Sequence, residues 1–229
     1  MSEVDRLLEG LDDPAKRTRR QAAEALGRLA AADGALRARL AAALADGDPP
    51  RRYAVAYALF VAGDRTERLW AALSEALGSG DGDLRWAAAR LVIALEFDEA
   101  TSRLLDEVAS RNAERRKMAL YCLRERRARG DAVEGAVAAA LADPEPGVRL
   151  AGMSALAALA RDPADAADAI ARLVDDREPG VRRAAAATLG KVGVATPIVR
   201  AALARAAATT DEALARAARG ALERLSAPA

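Results

Sequence analysis

The chain writes nearly the same sentence twice. From Asp143 it reads DPEPGVRLAGMSAL, and 33 residues later, from Asp176, it reads DREPGVRRAAAATL. Stepping by that interval places one apolar residue per unit: Leu26, Leu59, Val92, Leu123, Leu156, Leu189 and Leu222, with steps of 33, 33, 31, 33, 33 and 33. Seven positions before each lie Arg19, Arg52, Arg85, Arg116, Arg149, Arg182 and Ala215. Six residues earlier still stand Asp13, Asp46, Ser79, Ser110, Asp143, Asp176 and Thr209. These short polar side chains cap helices and close turns. A fixed period of this size means a stack of small units, none able to bury its own apolar face alone.

Each unit reads as two helices. The first is short, as in LRARLAAALA from Leu36. A polar turn follows, and the second helix runs through the arginine and the leucine. Pro49, Pro146 and Pro179 fall at equivalent places, suited to a first helical turn where a missing N–H costs nothing. Gly27 and Gly190 follow the leucine, where the second helix is expected to begin ending. One repeat domain over residues 1–229 is expected, with units near 1–32, 33–65, 66–97, 98–129, 130–162, 163–195 and 196–229.

Composition supports helices and narrows the chemistry. Apolar residues make up 52 %, yet only 3 % are aromatic, while 63 are alanine, the best helix former. The core must therefore be helices at close range. Histidine is absent, which removes the usual general base near neutral pH and the commonest metal ligand. Cys122 is the single cysteine, so no internal disulfide forms. Its counterparts in the other units are mostly small and apolar, so it reads as core packing rather than a nucleophile. GSGDGD (Gly78–Asp83) lacks the remaining positions of a calcium loop and reads as a turn. No catalytic residue, cofactor or metal is expected. A net charge of +1 sets up no global field toward nucleic acid. MSEVDRLLEG has no apolar leader and no run approaches spanning length, so a cytoplasmic protein is expected. The Ala and Arg excess suggests a GC-rich bacterial source.

The period alone admits ankyrin and tetratricopeptide units. Ankyrin would want a TPLHxA element, and there is no histidine; a tetratricopeptide unit would want large aromatics that most units lack. What remains, D-x5-R-x6-L with alanines between, resembles the HEAT repeat in the short form of the phycobilisome-lyase family. The resemblance implies an all-α solenoid, a right-handed superhelix of about seven two-helix repeats. It implies that the Asp and Arg columns form a hydrogen-bonded ladder between turns, and that one face of the second helices lines a concave groove. Ala215 breaks the arginine column in the last unit, as suits a C-terminal cap.

If shared residues build the scaffold, function lies where units differ. All seven aromatics fall between residues 53 and 121. Four lie on two columns, four residues apart and so on one helix face. One column reads Arg20, Tyr53, Trp86, Lys117, Leu150, Arg183, Arg216; the other reads Glu24, Tyr57, Arg90, Tyr121, Ser154, Ala187, Gly220. Tyr53, Tyr57, Trp86, Arg90, Lys117 and Tyr121 are therefore the candidate partner-binding residues, of types found in binding hot spots. Phe60, Trp70 and Phe97 read as space-filling. Repeat four carries eight basic residues between Ser110 and Gly130 against Glu114 and Glu125, and its second helix reads as running on through LRERRARG. Arg124, Arg126 and Arg127 there are a candidate patch for an anionic partner.

The function expected is a non-catalytic scaffold or adaptor holding a protein or peptide partner in the groove of repeats two to four, with a monomer favoured and no membrane. Two alternatives stand beside it. One is nucleic-acid binding of the kind seen in HEAT-like DNA glycosylases, which near-zero net charge disfavours. The other is a bilin lyase or chaperone subunit, by analogy of fold. Deoxyhypusine hydroxylase, another HEAT-like enzyme, holds iron through His-Glu pairs that this chain cannot supply.

Overall fold

In a computed structural model that describes residues 1–226, fourteen α-helices follow one another and no strand occurs among the described residues. They fall into seven pairs, a shorter helix and then a longer one. The pairs are α1 (Glu3–Glu9) with α2 (Lys16–Ala32), α3 (Gly34–Ala42) with α4 (Pro49–Val61), and α5 (Trp70–Leu77) with α6 (Gly82–Ile93). Then come α7 (Ala100–Val108) with α8 (Ala113–Glu125), and α9 (Asp131–Ala139) with α10 (Pro146–Leu159). The last are α11 (Pro163–Ala171) with α12 (Pro179–Val192), and α13 (Pro197–Ala207) with α14 (Glu212–Ser226). The chain is an all-α solenoid of about seven repeats. Pro49, Pro146 and Pro179 each open a second helix. No described helix is long and apolar enough to cross a membrane.

The chain divides into two compact units, Met1–Cys122 and Leu123–Ala229, the division falling inside α8. In the first unit α2 packs on α4, and α5 lies against α4 and α6; in the second, α12 packs on α10 and α14. The apolar column supplies the core. Leu26, Leu59, Val92, Leu123, Leu156 and Leu189 are buried, and Leu222 in the last helix is half-buried. Cys122 is buried too, its Sγ 3.9 Å from the Ala89 carbonyl oxygen one repeat earlier.

The polar columns build the turns. The side chains of Asp13, Ser79, Ser110, Asp143, Asp176 and Thr209 each accept the backbone N–H two residues on, at 2.8–3.4 Å. The arginine six residues later donates back to the carbonyl of the same polar residue: Arg19 to Asp13 at 2.6 Å, Arg85 to Ser79 at 2.6 Å, Arg149 to Asp143 at 2.8 Å. In repeats two, three, five and six its remaining nitrogens reach an acid of the next repeat. Arg52 pairs with Glu75 at 2.6 Å, Arg85 with Glu114 at 2.8 Å, Arg149 with Asp176 at 2.7 Å and Arg182 with Asp211 at 3.4 Å. The arginine thus satisfies carbonyls that the turn leaves unpaired and joins repeats by charge-assisted bonds.

Two sequence expectations are corrected. Gly27 does not mark a helix end, since α2 continues to Ala32. A Cβ at Gly27 would lie 2.5 Å from both the Ala58 carbonyl oxygen and Val61 Cβ, so the glycine marks the close approach of α2 to α4. The second helix of repeat four does not run on through its arginines; α8 stops at Glu125. Arg127 has φ 52°, and the Ala128 N–H bonds the Leu123 carbonyl at 3.0 Å. That six-to-one bond around a left-handed residue is a Schellman stop, closed by buried Leu123 and Ala128.

Candidate functional site

Within the first unit, three second helices each turn one face toward a common cleft of about 570 Å³. From α2 come Lys16, Arg19, Arg20 and Ala23; from α4 Pro50, Tyr53, Ala54, Tyr57 and Phe60; from α6 Asp83, Leu84, Ala87, Arg90, Leu91 and Ala94. The spacings of three and four residues are those of a single helix face. Alanines on α2 and α6 leave the space that the α4 aromatics line. The volume lies within the roughly 300–1,000 Å³ of ligand-binding clefts.

Tyr53 and Tyr57 stack with nearly parallel rings, centroids 6.3 Å apart at 6°. Burial, seconded by Tyr57, pushes the Tyr53 phenol up to about 12, while Arg20 and Arg90 pull the other way. Tyr53 therefore stays a protonated donor at neutral pH. Lys16 reaches from repeat one to repeat three, pairing with Asp81 at 2.8 Å and Asp83 at 3.0 Å. Hydrogen bonds to Lys16 hold the Asp81 carboxyl below its usual range. Arg19 is engaged by the Asp13 and Pro14 carbonyls. Arg65 lies over the Phe60 ring, 3.4 Å from its centroid.

The six candidate residues do not share one cavity. Tyr53, Tyr57 and Arg90 line the cleft. Trp86 and Tyr121 pair edge to face beside it, centroids 4.7 Å apart at 85°, with Trp86 51 % exposed. Lys117 is tied to Glu114 at 2.6 Å. No residue of either column is buried. In the second unit, Arg124 bonds the Ser154 hydroxyl at 2.6 Å and pairs with Glu125 at 2.7 Å, Arg126 is half-buried, and Arg127 forms the helix stop. Trp70 is buried and meets Phe97 edge-on at 6.1 Å, as a space-filling pair would. Phe60, read as space-filling, also lines the cleft. Lys16, Arg20, Asp81 and Asp83 are not among the candidates that the sequence offers: Asp81 and Asp83 stand in the GSGDGD stretch read as a turn, Arg20 heads the Tyr53–Trp86 column, and nothing in the sequence shows the reach of Lys16 across two repeats.

A family model described as HEAT repeats matches residues 4–94 and 133–223. The chain belongs to the HEAT-repeat family. The unmatched interval between them, 95–132, contains the whole of repeat four, where the period shortens. No curated protein matches the sequence. Among solved structures, an engineered protein is 21 % identical over 100 % of this chain and 69 % of its own, with a TM-score of 0.48. The complex of CpcE and CpcF of phycocyanin lyase from Nostoc sp. PCC7120 is 21 % identical over 100 % of this chain and 90 % of that one, at 0.44. A designed armadillo repeat protein in complex with the peptide (KR)4 is 15 % identical over 98 % and 100 %, at 0.48.

Proposed function

We propose that this HEAT-repeat protein is a non-catalytic scaffold whose first unit binds a protein or peptide partner along its second helices. The surface runs over Tyr53, Tyr57, Trp86, Arg90, Lys117 and Tyr121. The observation that carries this reading is the row of half-exposed rings on α4, α6 and α8 beside a cleft with an aromatic lining. Exposed Tyr, Trp and Arg provide large contact area at small cost in side-chain entropy. The carboxylates at the cleft, Asp81 and Asp83, are both held by Lys16, so neither stands ready as a base. Arg124 is engaged by Ser154 and Glu125, and the proposed surface stops short of it.

The test is affinity capture from native lysate after nuclease treatment, on the wild type and on a Tyr53→Ala, Trp86→Ala, Tyr121→Ala variant. A protein captured by the first and lost by the second is expected. Capture that persists in the variant moves the interface elsewhere. Capture abolished by nuclease favours nucleic acid.

A further inference from the structure

We infer that the cleft between α2, α4 and α6 recognises an acidic peptide segment, seating a Glu or Asp carboxylate between Arg20 and Arg90 and an adjacent apolar side chain against Tyr53, Tyr57 and Phe60. The inference rests on the reading above that the first unit binds a polypeptide, and it names the chemistry of that partner.

The argument is an inventory of donors and acceptors around one cavity. Four cations line it, Lys16, Arg19, Arg20 and Arg90, against two carboxylates, Asp81 and Asp83. Both carboxylates are taken by Lys16. Arg19 is taken by backbone carbonyls. Glu24, one turn after Arg20, is taken by Arg28 at 2.7 Å. Arg20 and Arg90 remain, both exposed, and among the described residues neither guanidinium pairs with a carboxylate or donates a hydrogen bond. The Tyr53 and Tyr57 hydroxyls likewise make no hydrogen bond to another described residue. The groups left for a ligand are thus two guanidiniums, which only donate, and two phenol hydroxyls, each able to donate as well. A site whose free polar groups are donors fits an acceptor, and two cations make that acceptor an anion. The carboxylate is the anion a polypeptide partner carries.

The apolar half of the cleft sets the neighbour. Ala23, Ala54, Leu84, Ala87 and Leu91 surround the tyrosine pair, so an aliphatic side chain beside the carboxylate would remove apolar surface from water. Length favours a peptide over a small acid. The exposed row continues past the cleft to Trp86 on α6 and Tyr121 on α8. Three helix-to-helix steps of about 8–10 Å span about eight extended residues at roughly 3.4 Å each. Two free arginines are few for a phosphate-tracking surface, whose affinity grows with each phosphate neutralised.

The test is fluorescence anisotropy with three fluorescein-labelled eight-residue peptides in which Glu, Gln or Lys alternates with Leu or Ala, and an eight-nucleotide single-stranded DNA. The full chain is used as wild type, as Arg20→Gln/Arg90→Gln, and as Tyr53→Phe/Tyr57→Phe. Arg20 and Arg90 pair with nothing, so circular dichroism should show the first variant folded. The expected result is that the Glu peptide binds the wild type at least about tenfold more tightly than the Gln and Lys peptides, and loses about tenfold or more in each variant. The inference is overturned if the Glu peptide does not bind, binds no better than the Lys peptide, or binds the arginine variant as it binds the wild type. DNA binding that exceeds the Glu peptide and depends on the same arginines also overturns it, in favour of nucleic acid. Lysate capture that survives Arg20→Gln/Arg90→Gln but fails with the Tyr53, Trp86, Tyr121 variant would leave the interaction surface standing and sink only its acidic partner.

Discussion

At Gly27 a single hydrogen decides how closely two helices pack. A methyl group there would meet the Ala58 carbonyl oxygen and Val61 Cβ at 2.5 Å, and the first of these is backbone that cannot step aside. Gly27→Ala should therefore destabilise the first unit by about 1–3 kcal/mol, although alanine is the better helix former. Urea denaturation checks it, and an unchanged midpoint would show that α2 and α4 separate freely. Arg127 presents the reverse case. It holds a left-handed conformation at φ 52° that suits glycine. Arg127→Gly should stabilise by about 0.5–1 kcal/mol, relief of strain exceeding the added chain entropy. Thermal melts should rise; a fall would mean that the arginine side chain contributes more than its backbone strain costs.

At the scale of the element, the turn ladder explains why the short polar column and the arginine column recur so faithfully without being a site. Its most enclosed step is Arg149 to Asp176, whose side chains are 5 % and 7 % exposed. Burial works against ionisation of Asp176, but the Arg149 hydrogen bonds and the Glu178 N–H outweigh it and hold the carboxyl below its usual range. Removing one partner of such a pair leaves a buried charge unmet, so Asp176→Asn should cost about 3 kcal/mol or more. Asp175→Asn breaks the neighbouring Arg205 pair, exposed at 61 % and 63 %, and should cost no more than about 1 kcal/mol. Equal losses by urea titration would refute the ladder's structural role. These elements were the legible part of the sequence. Helix pairing, turn chemistry and the buried leucine column all follow from a period that each unit must obey to stack. The misread features have local physical causes that periodicity does not carry. Gly27 depends on a neighbour 31 residues away, and the end of α8 depends on one residue's left turn among arginines that otherwise favour helix. The cleft was half legible. Aromatics among alanines pointed to Tyr53 and Tyr57, but the cations that give it its character are ordinary surface residues in a sequence. Arg20 and Lys16 differ only in what each does or does not pair with, and that is a property of three helices together.

At the scale of the whole molecule, a repeat protein draws its stability from contacts between neighbouring units, and here many of those contacts are ionic. Their pH dependence is set by which groups titrate. With no histidine, none of the side chains that ordinarily change charge between about pH 5 and pH 8 is present. The carboxyls of Asp5 and Asp81 in the first unit and of Asp176 and Asp211 in the second are all held below their ordinary range in the folded chain. The unfolded chain then binds more protons than the native one as pH falls through about 4, so stability present above that pH is lost below it. Tyr53 acts at the other end. Its phenol ionises near pH 10 when unfolded but only at about 12 when folded, so between those values the native state holds the extra proton and stability falls as pH rises. Thermal unfolding followed by circular dichroism should accordingly show a plateau from about pH 5 to pH 8, an acid limb below about pH 4 and an alkaline limb above about pH 10. Tyr53→Phe should make the alkaline limb shallower, leaving the share from Lys16, which Asp81 and Asp83 also hold protonated to higher pH, and should leave the acid limb unchanged. A slope across the neutral range would place the pH-sensitive contacts somewhere other than the ladder, the Lys16 bridge and the tyrosine-lined cleft, and an alkaline limb indifferent to Tyr53 would take Tyr53 out of their number.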